Sequence, residues 1–307
     1  RQATSDKRQA EWFVSVEKPD KCQICEDCKF EQDSDTLDTW FSSSQWPYLT
    51  LKTGKTGDFE KFYPTSVMET GYDLLKAWVS RMIMLGIYVT GEVPFRNVLF
   101  HGLVNDPYGK KMSKSKGNVV NPLELIDQYG ADAVRFALIY GNATGNDQSL
   151  SYPKLDAARK FTNKLWNIGR FISLCHSELV SESKIAGTEM PKQVRHDILK
   201  IEKLAKNERD KEIINKVIVL TKKVTKDLDN YNFNYAAEEL YEFVWHEFAD
   251  KYIEDVKKRI DENSYLILNS LFLILLKLLH PFMPYVSEEI YQRLEGEGSI
   301  MVAEWPR

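Results

Sequence analysis

Lys110-Lys111-Met112-Ser113-Lys114-Ser115-Lys116-Gly117-Asn118 is the stretch from which the rest of the chain can be read. Four lysines stand within seven residues on a frame of Ser and Gly. Long, mobile ammonium stems on such a frame suit a loop that closes on a polyphosphate and later releases it. The same residues also describe a plain solvated basic loop. The flanks are informative. An apolar run, Val98 to Val104, precedes the lysines, as a buried parallel strand would. Asn105-Asp106-Pro107-Tyr108-Gly109 is turn sequence, and Gly117-Asn118 permits the unusual backbone that ends a loop. Asn121-Pro122 then opens a helix with proline at an early position. Gly130 to Phe136 starts another, with Asp132 and Arg135 spaced to pair at i, i+3.

Upstream, Tyr63-Pro64-Thr65-Ser66 reads as a strand leading to a turn, and Gly71-x-Asp73 opens a helix. Gly71 allows close backbone approach to a flat ligand. Asp73 has two readings: a helix cap, or a carboxylate that accepts both hydroxyls of a ribose. Trp78, Met82 and Leu85 fall at i, i+4 and i+7, the spacing of one packed helical face. His101 sits with Gly102 inside the apolar run, where a lone histidine is usually a satisfied core residue. Farther upstream, Asp33 to Asp38 form an acidic turn before an aromatic and Ser-rich segment that holds Trp40 and Trp46. Two tryptophans so close to polar residues could wall an apolar pocket. Core packing is the simpler reading, above all for Trp46.

Cys22, Cys25 and Cys28 repeat a Cys-x-x-Cys step. One such step presents two thiolates to zinc. A tetrahedral site needs four ligands, and no fourth Cys or His lies near, so bound zinc is not the expected state. Cys175 is far away within a helical pattern. Three clustered cysteines in 307 residues do not make a secreted disulfide framework. No signal segment is evident at the start. Leu266 to Leu279, the longest apolar run, is interrupted by Asn269, Ser270 and Lys277 and reads as too short to span a bilayer. A cytoplasmic protein is expected. The net charge of −4 makes any nucleic-acid contact a matter of local basic patches.

From residue 151 the pattern changes to long helices. Asn142 to Asp147 is rich in Gly and Asn and reads as a linker, which gives two domains, 1–150 and 151–307. Ala158, Phe161, Leu165, Ile168 and Phe171 have helical spacing, and helical patterns continue over Ile198 to Leu228, Tyr235 to Ile260 and Tyr265 to Leu279. His280 to Pro284 forces a bend, and Ser287-Glu288-Glu289 suits a new start with acids in the first turn. The sum is an all-α bundle of about four or five helices. Phe243, Trp245, Phe248 and Tyr252 could stack on unpaired bases, though such residues are more often core. Lys222, Lys223, Lys226, Lys257, Lys258 and Arg259 are phosphate contacts or solvated faces.

The order Lys-Met-Ser-Lys-Ser at 111–115 resembles the signature loop of class I aminoacyl-tRNA synthetases. Asp35-Thr36-Leu37-Asp38-Thr39-Trp40-Phe41-Ser42-Ser43 resembles the valine-specific branch, and differs from the isoleucine and leucine branches. Ala236 to Trp245, Leu278 to Pro284 and Ala303-Glu304-Trp305-Pro306 resemble the anticodon-binding bundle of these enzymes. The resemblance runs from about Cys22 to the end. It implies an α/β nucleotide-binding, Rossmann-like partial catalytic domain followed by an all-α helical bundle. It further implies catalytic Lys111 and Lys114, with Gly71, Asp73, His101, Gly102, Met112, Ser113 and Ser115 at ATP and Trp40 against the amino-acid side chain. ATP is then a substrate, with Mg2+; valine and tRNA(Val) are the other partners. Lys76 and Ala77 stand where the family more usually has aromatics. The family's His-x-Gly-His motif, its editing domain and the coiled coil of bacterial members are absent from these residues, and Arg1 is not Met. An excised piece is therefore expected, inactive alone and possessing the missing half as a partner. A non-catalytic tRNA-binding paralogue and an isoleucine-specific enzyme are the alternatives.

Overall fold

The computed structural model describes residues 17, 32–182, 198–295 and 298–306. Cys22, Cys25 and Cys28 lie outside the described residues, and with them the zinc question. Three short helices come first: α1 (Thr39–Ser43), α2 (Trp46–Thr53) and α3 (Asp58–Phe62). Asp38 caps α1 by accepting from the Trp40 N–H at 3.0 Å. Strand β1 (Thr65–Gly71) then feeds a short turn of helix, Tyr72–Leu74, a wider turn, Leu75–Val79, and helix α4 (Ser80–Thr90). Strand β2 (Phe95–His101) returns parallel to β1, with Gly71 opposite His101. A parallel pair needs such a crossover, because a hairpin would reverse the direction.

The strand expected to be buried is only half-buried from Val98 onward, because β1 and β2 form a sheet of two strands. Its apolar support is small: Val79, Met82 and Phe95. The packed face of the following helix also differs from expectation. The wide turn before α4 shifts the phase, so Val79, Met82 and Gly86 are buried while Trp78 and Leu85 are half-buried.

After β2 come β3 (Val104–Asn105), the lysine loop, α5 (Pro122–Tyr129), α6 (Ala131–Ile139) and β4 (Gln148–Ser149), which pairs parallel with β3. Asn121 caps α5 through the Leu123 N–H, with Pro122 just inside, as expected. The linker reading of Asn142 to Asp147 fails. Asp147 accepts from the Leu103 N–H at 2.7 Å and from the Tyr72 hydroxyl at 3.3 Å, and Gln148 N–H donates to the Leu103 carbonyl. Gly145 takes a φ of 86°, and the Asn142 amide donates to the Asn146 carbonyl within the segment.

The helical region comprises α7 (Tyr152–Glu182), α8 (Ile198–Leu204), α9 (Glu208–Asp229), α10 (Phe233–Glu242), a wide-turn continuation Phe243–Ile253 into α11 (Glu254–Val256), α12 (Glu262–Leu279) and α13 (Pro284–Glu295). The single helix expected from Ile198 is two helices, because Asn207 accepts from the Asp210 N–H and caps α9. Ala158, Phe161, Leu165 and Ile168 line the core from α7, but Ile172 takes the place expected for Phe171. Helix α12 is buried around nearly its whole circumference, Asn269, Ser270 and Lys277 included, and is the centre of the bundle. It starts at Glu262, so its 18 residues are, among the described residues, long and apolar enough to cross a membrane by length and composition; 83% of that stretch is buried inside the protein. Phe243, Phe248 and Tyr252 are core residues. Arg259 reaches the buried Asp210 at 2.6 Å, Tyr252 donates to the same carboxylate, and this triad ties α9 to the end of α11.

The two regions share one apolar core through α6 and α7, and Asp132 ties them further. It does not pair with Arg135. Its carboxylate crosses to α13 and accepts from the Tyr285 and Val286 N–H groups at 3.2 and 2.6 Å, while Arg135 donates to the Pro281 carbonyl. Burial pushes the Asp132 carboxyl above its ordinary range, and the two backbone donors offset part of that. α13 therefore starts at Pro284, earlier than Ser287, because its first N–H groups are satisfied from α6.

Candidate functional site

β1 and β2 end side by side, and their ends hold the first part of the site. Gly71 is buried where β1 passes into the turn carrying Asp73. A side chain at Gly71 would meet the Asp73 carboxylate at 2.9 Å and His101 at 3.7 Å, so glycine lets these groups gather. Asp73 is not a cap: the turn's N-cap is Gly71, with no side-chain bond. Instead its carboxylate lies half-exposed, 3.7 Å from the Lys111 ammonium. His101 is exposed rather than a core residue. Its Nε2 is 3.2 Å from Glu69 and its Nδ1 lies 2.9 Å from the Gly102 carbonyl.

Gly102 is needed for a reason that sequence did not reveal. A Cβ there would lie 1.9 Å from the Asn146 carbonyl oxygen. The room left by the missing side chain is filled by the 146–147 backbone, not by a ligand. Asp147 closes the same edge, and its charge raises the Tyr72 hydroxyl pKa above the ordinary value.

The lysine loop leaves β3 through the Asp106 turn. Asn105 and Lys111 form an antiparallel bridge, which fixes Lys111 at the root of the loop. Lys114 is exposed in a short turn of helix, Lys114–Lys116, that ends on Gly117 at φ 66°. This is the left-handed conformation expected there. Ser113 and Ser115 share a hydroxyl hydrogen bond at 3.1 Å. The Met112 sulfur accepts from the Val120 N–H at 3.4 Å, so Met112 anchors the loop to its own exit.

Asp106 was not singled out from the sequence, yet it is 4% exposed at the root of this loop. It accepts from the N–H groups of Tyr108 and Lys110 and from the Asn118 amide. These bonds, Asn118 first, hold its carboxyl below the usual range. The turn over Asn105 to Gly109 is legible in the sequence, but the bond to Asn118 gives no local signal.

Trp40 belongs to a separate cluster. It is half-buried on α1, with the Arg81 guanidinium 5.7 Å above its ring, and the neighbouring Trp78 indole donates to the Ser43 carbonyl. Trp46, expected in the core, is 63% exposed.

Residues 2–151 match the family described as tRNA synthetases class I (I, L, M and V), and residues 210–307 match the anticodon-binding domain of tRNA ligase. The chain belongs to the class I tRNA synthetases. This synthetase chain is 43% identical over 305 residues to a valine--tRNA ligase of Clostridium acetobutylicum, and 44% identical over 306 residues to that of Clostridium perfringens. Each alignment takes in 96% of the chain but 33% of the relative, so the chain spans about a third of the length of the curated relatives it matches. Among solved structures it resembles the ternary complex of Agrobacterium radiobacter K84 agnB2 LeuRS with tRNA and LeuAMS. The TM-score is 0.72 at 26% identity, covering 93% of this chain and 34% of that one. A methionyl-tRNA synthetase of Mycobacterium tuberculosis in complex with methionyl-adenylate shares the fold, at a TM-score of 0.58 and 19% identity, covering 78% of this chain and 46% of that one.

The remaining lysines of the bundle divide. Lys223 pairs with Glu239, Lys257 with Glu254, and Arg259 with Asp210 and Asp255. Lys222 and Lys226 line an exposed groove beneath Trp305, whose indole donates to Thr225 at 2.8 Å. Among the described residues no three His, Cys, Asp or Glu side chains gather as a metal site.

Proposed function

We propose that this chain supplies the lysine-loop side of an adenylate-forming site and the tRNA-binding bundle of a valine--tRNA ligase. The observation that carries the reading is the meeting of Lys111 with Asp73, beside Gly71 and His101 at the ends of two parallel strands. Ligands of parallel sheets sit at this end of the strands. In the reaction the valine carboxylate attacks the α-phosphate of ATP in line, and pyrophosphate leaves. Negative charge grows on the leaving group. Lys111 and Lys114 meet it with ammonium groups, stabilising the transition state more than the ground state. Asp73 accepts from the ribose hydroxyls, and Gly71 and His101 border the base, while Gly102 lets the 146–147 backbone close that edge. Met112, Ser113 and Ser115 hold the loop in its working shape. Trp40 faces the branched side chain of valine; a rigid apolar wall suits it but separates near-isosteres by only about 1–3 kcal/mol. The described residues make no metal site, and no step is assigned to Mg2+.

Residues up to about 150 do this chemistry and residues 151–307 hold tRNA(Val). The valine specificity is supported by the 43–44% identity to valine--tRNA ligases. The His-x-Gly-His side of the ATP site is assigned to the remaining length of such a protein. The test is ATP–pyrophosphate exchange with valine. Residues 1–307 should not exchange alone and should exchange once a segment with His-x-Gly-His is supplied in trans. In that assembly Lys111→Ala and Lys114→Ala should each cost about 100-fold. Exchange untouched by both substitutions refutes the reading.

A further inference from the structure

Asp106 lies in an exposed turn but is itself buried, and it uses both carboxylate oxygens. Oδ1 accepts from the Tyr108 and Lys110 N–H groups at 3.0 and 2.8 Å, and Oδ2 from the Asn118 amide at 2.8 Å. Asn118 completes the figure. Its Oδ1 accepts from the Ser113 N–H at 3.0 Å, and its amide also reaches the Lys111 carbonyl at 3.3 Å. Two side chains twelve positions apart thus satisfy backbone groups on both sides of Lys111. A carboxylate that merely shaped the Asp106 turn would need only the two local N–H bonds. The third bond spans the whole lysine segment. It closes the loop at its root, and the tip with Lys114 lies within the segment so closed. Lys111 is meanwhile held in register against Asn105, where its ammonium meets Asp73.

We propose that the Asp106–Asn118 clasp is a positioning device for the nucleotide site. It fixes the backbone around Lys111 so that this ammonium meets phosphate oxygens from a set direction, while Lys114 rides on the tip that the clasp closes. This rests on the phosphate reading of the loop given above. Asp106 touches no substrate; it acts through Lys111. Removing its carboxylate leaves the Lys110 N–H and the Asn118 amide without their partner, and the root of the loop opens.

The experiment uses the 307-residue chain and inorganic pyrophosphate as the probe, with binding measured by calorimetry and amide exchange followed by mass spectrometry. Asp106→Ala should weaken pyrophosphate binding about tenfold. The same change in a Lys111→Ala background should cost nothing further, which a merely structural role would not produce. Exchange of the Lys110 and Ser113 amides should accelerate while the thermal midpoint of the helical bundle stays put. Asn118→Ala should reproduce both effects, and Asp106→Asn, which keeps an acceptor for the two local N–H groups, should fall between. Unchanged exchange at Lys110 and Ser113 in both alanine variants overturns the clasp. Wild-type binding that Asp106→Ala leaves intact, or an equal loss with and without Lys111, overturns the positioning role alone. Failure of the wild-type chain to bind pyrophosphate sinks the phosphate reading, and the positioning role with it.

Discussion

The lysine-loop region and the helical bundle are held together by opposite means. Around α12 the contacts are mostly apolar: Leu268, Leu271, Phe272, Leu273, Leu275 and Leu276 have no exposed surface. Beneath the strands that carry the loop the buried apolar residues are Val79, Met82 and Phe95, and the loop takes its order from Asp106, Asn118 and Asp147 bonded to backbone N–H groups. Burial of apolar surface is strong but without direction. A hydrogen bond adds little net stability yet fixes an angle. The bundle needs the first property and a site that must aim an ammonium needs the second.

The sharpest way to break this contrast is to hollow the bundle. Phe272 is fully buried and stacks on Phe248 at 5.9 Å. Phe272→Ala should cost about 3–5 kcal/mol in denaturant unfolding. A loss below about 1 kcal/mol would show that the bundle does not rest on this core.

Gly102→Ala probes the other region. The added methyl collides with the Asn146 carbonyl, and the neighbour is backbone, which cannot swing aside. A loss of about 1–3 kcal/mol is expected. It should appear as faster amide exchange at Leu103 and Gln148, with the bundle amides unchanged. Equal loosening of both regions would mean that they unfold as one unit.

The smallest effect concerns pH. Glu247 accepts from Lys216 and Lys251, which lowers its carboxyl from the ordinary 4.5 to about 2. A depressed folded pKa means that the unfolded chain takes up the proton first. The contribution is therefore present above pH 4.5 and is lost as pH falls from about 4.5 through about 2. Glu247→Gln should flatten this acid limb in unfolding midpoints measured from pH 7 to pH 2, by lowering the midpoint slightly at pH 7 and leaving it nearly unchanged at pH 2. An acid limb of the same slope in both proteins would remove Glu247 from the account.

Much of this was legible beforehand where the signal is local. The Asn121-Pro122 helix start, the left-handed Gly117 and the apolar stripe of α7 depend on neighbours within a turn or two, and all three stand. The failures have partners far along the chain. Asp132 was read as pairing three residues on, but it caps a helix 153 residues away. Asn142 to Asp147 reads as a linker by its Gly and Asn content, but Asp147 finds Leu103 across 44 residues. Asp106 drew no notice because its decisive partner, Asn118, lies twelve positions on, past all four lysines. Trp46 was expected inside on residue type alone, and large aromatics are not always buried.

Residue chemistry and helical period were therefore written in the chain: a cationic loop on a Ser/Gly frame, a glycine before an aspartate, and a run of long apolar stripes. Folding alone decided that Lys111 faces Asp73, that Gly102 yields its space to Asn146, and that Asp132 reaches across to α13. Periodicity reports which face of an element is apolar. It carries no information on which distant polar group will satisfy a given backbone N–H, because that choice is made only when the elements pack and every buried donor must find an acceptor.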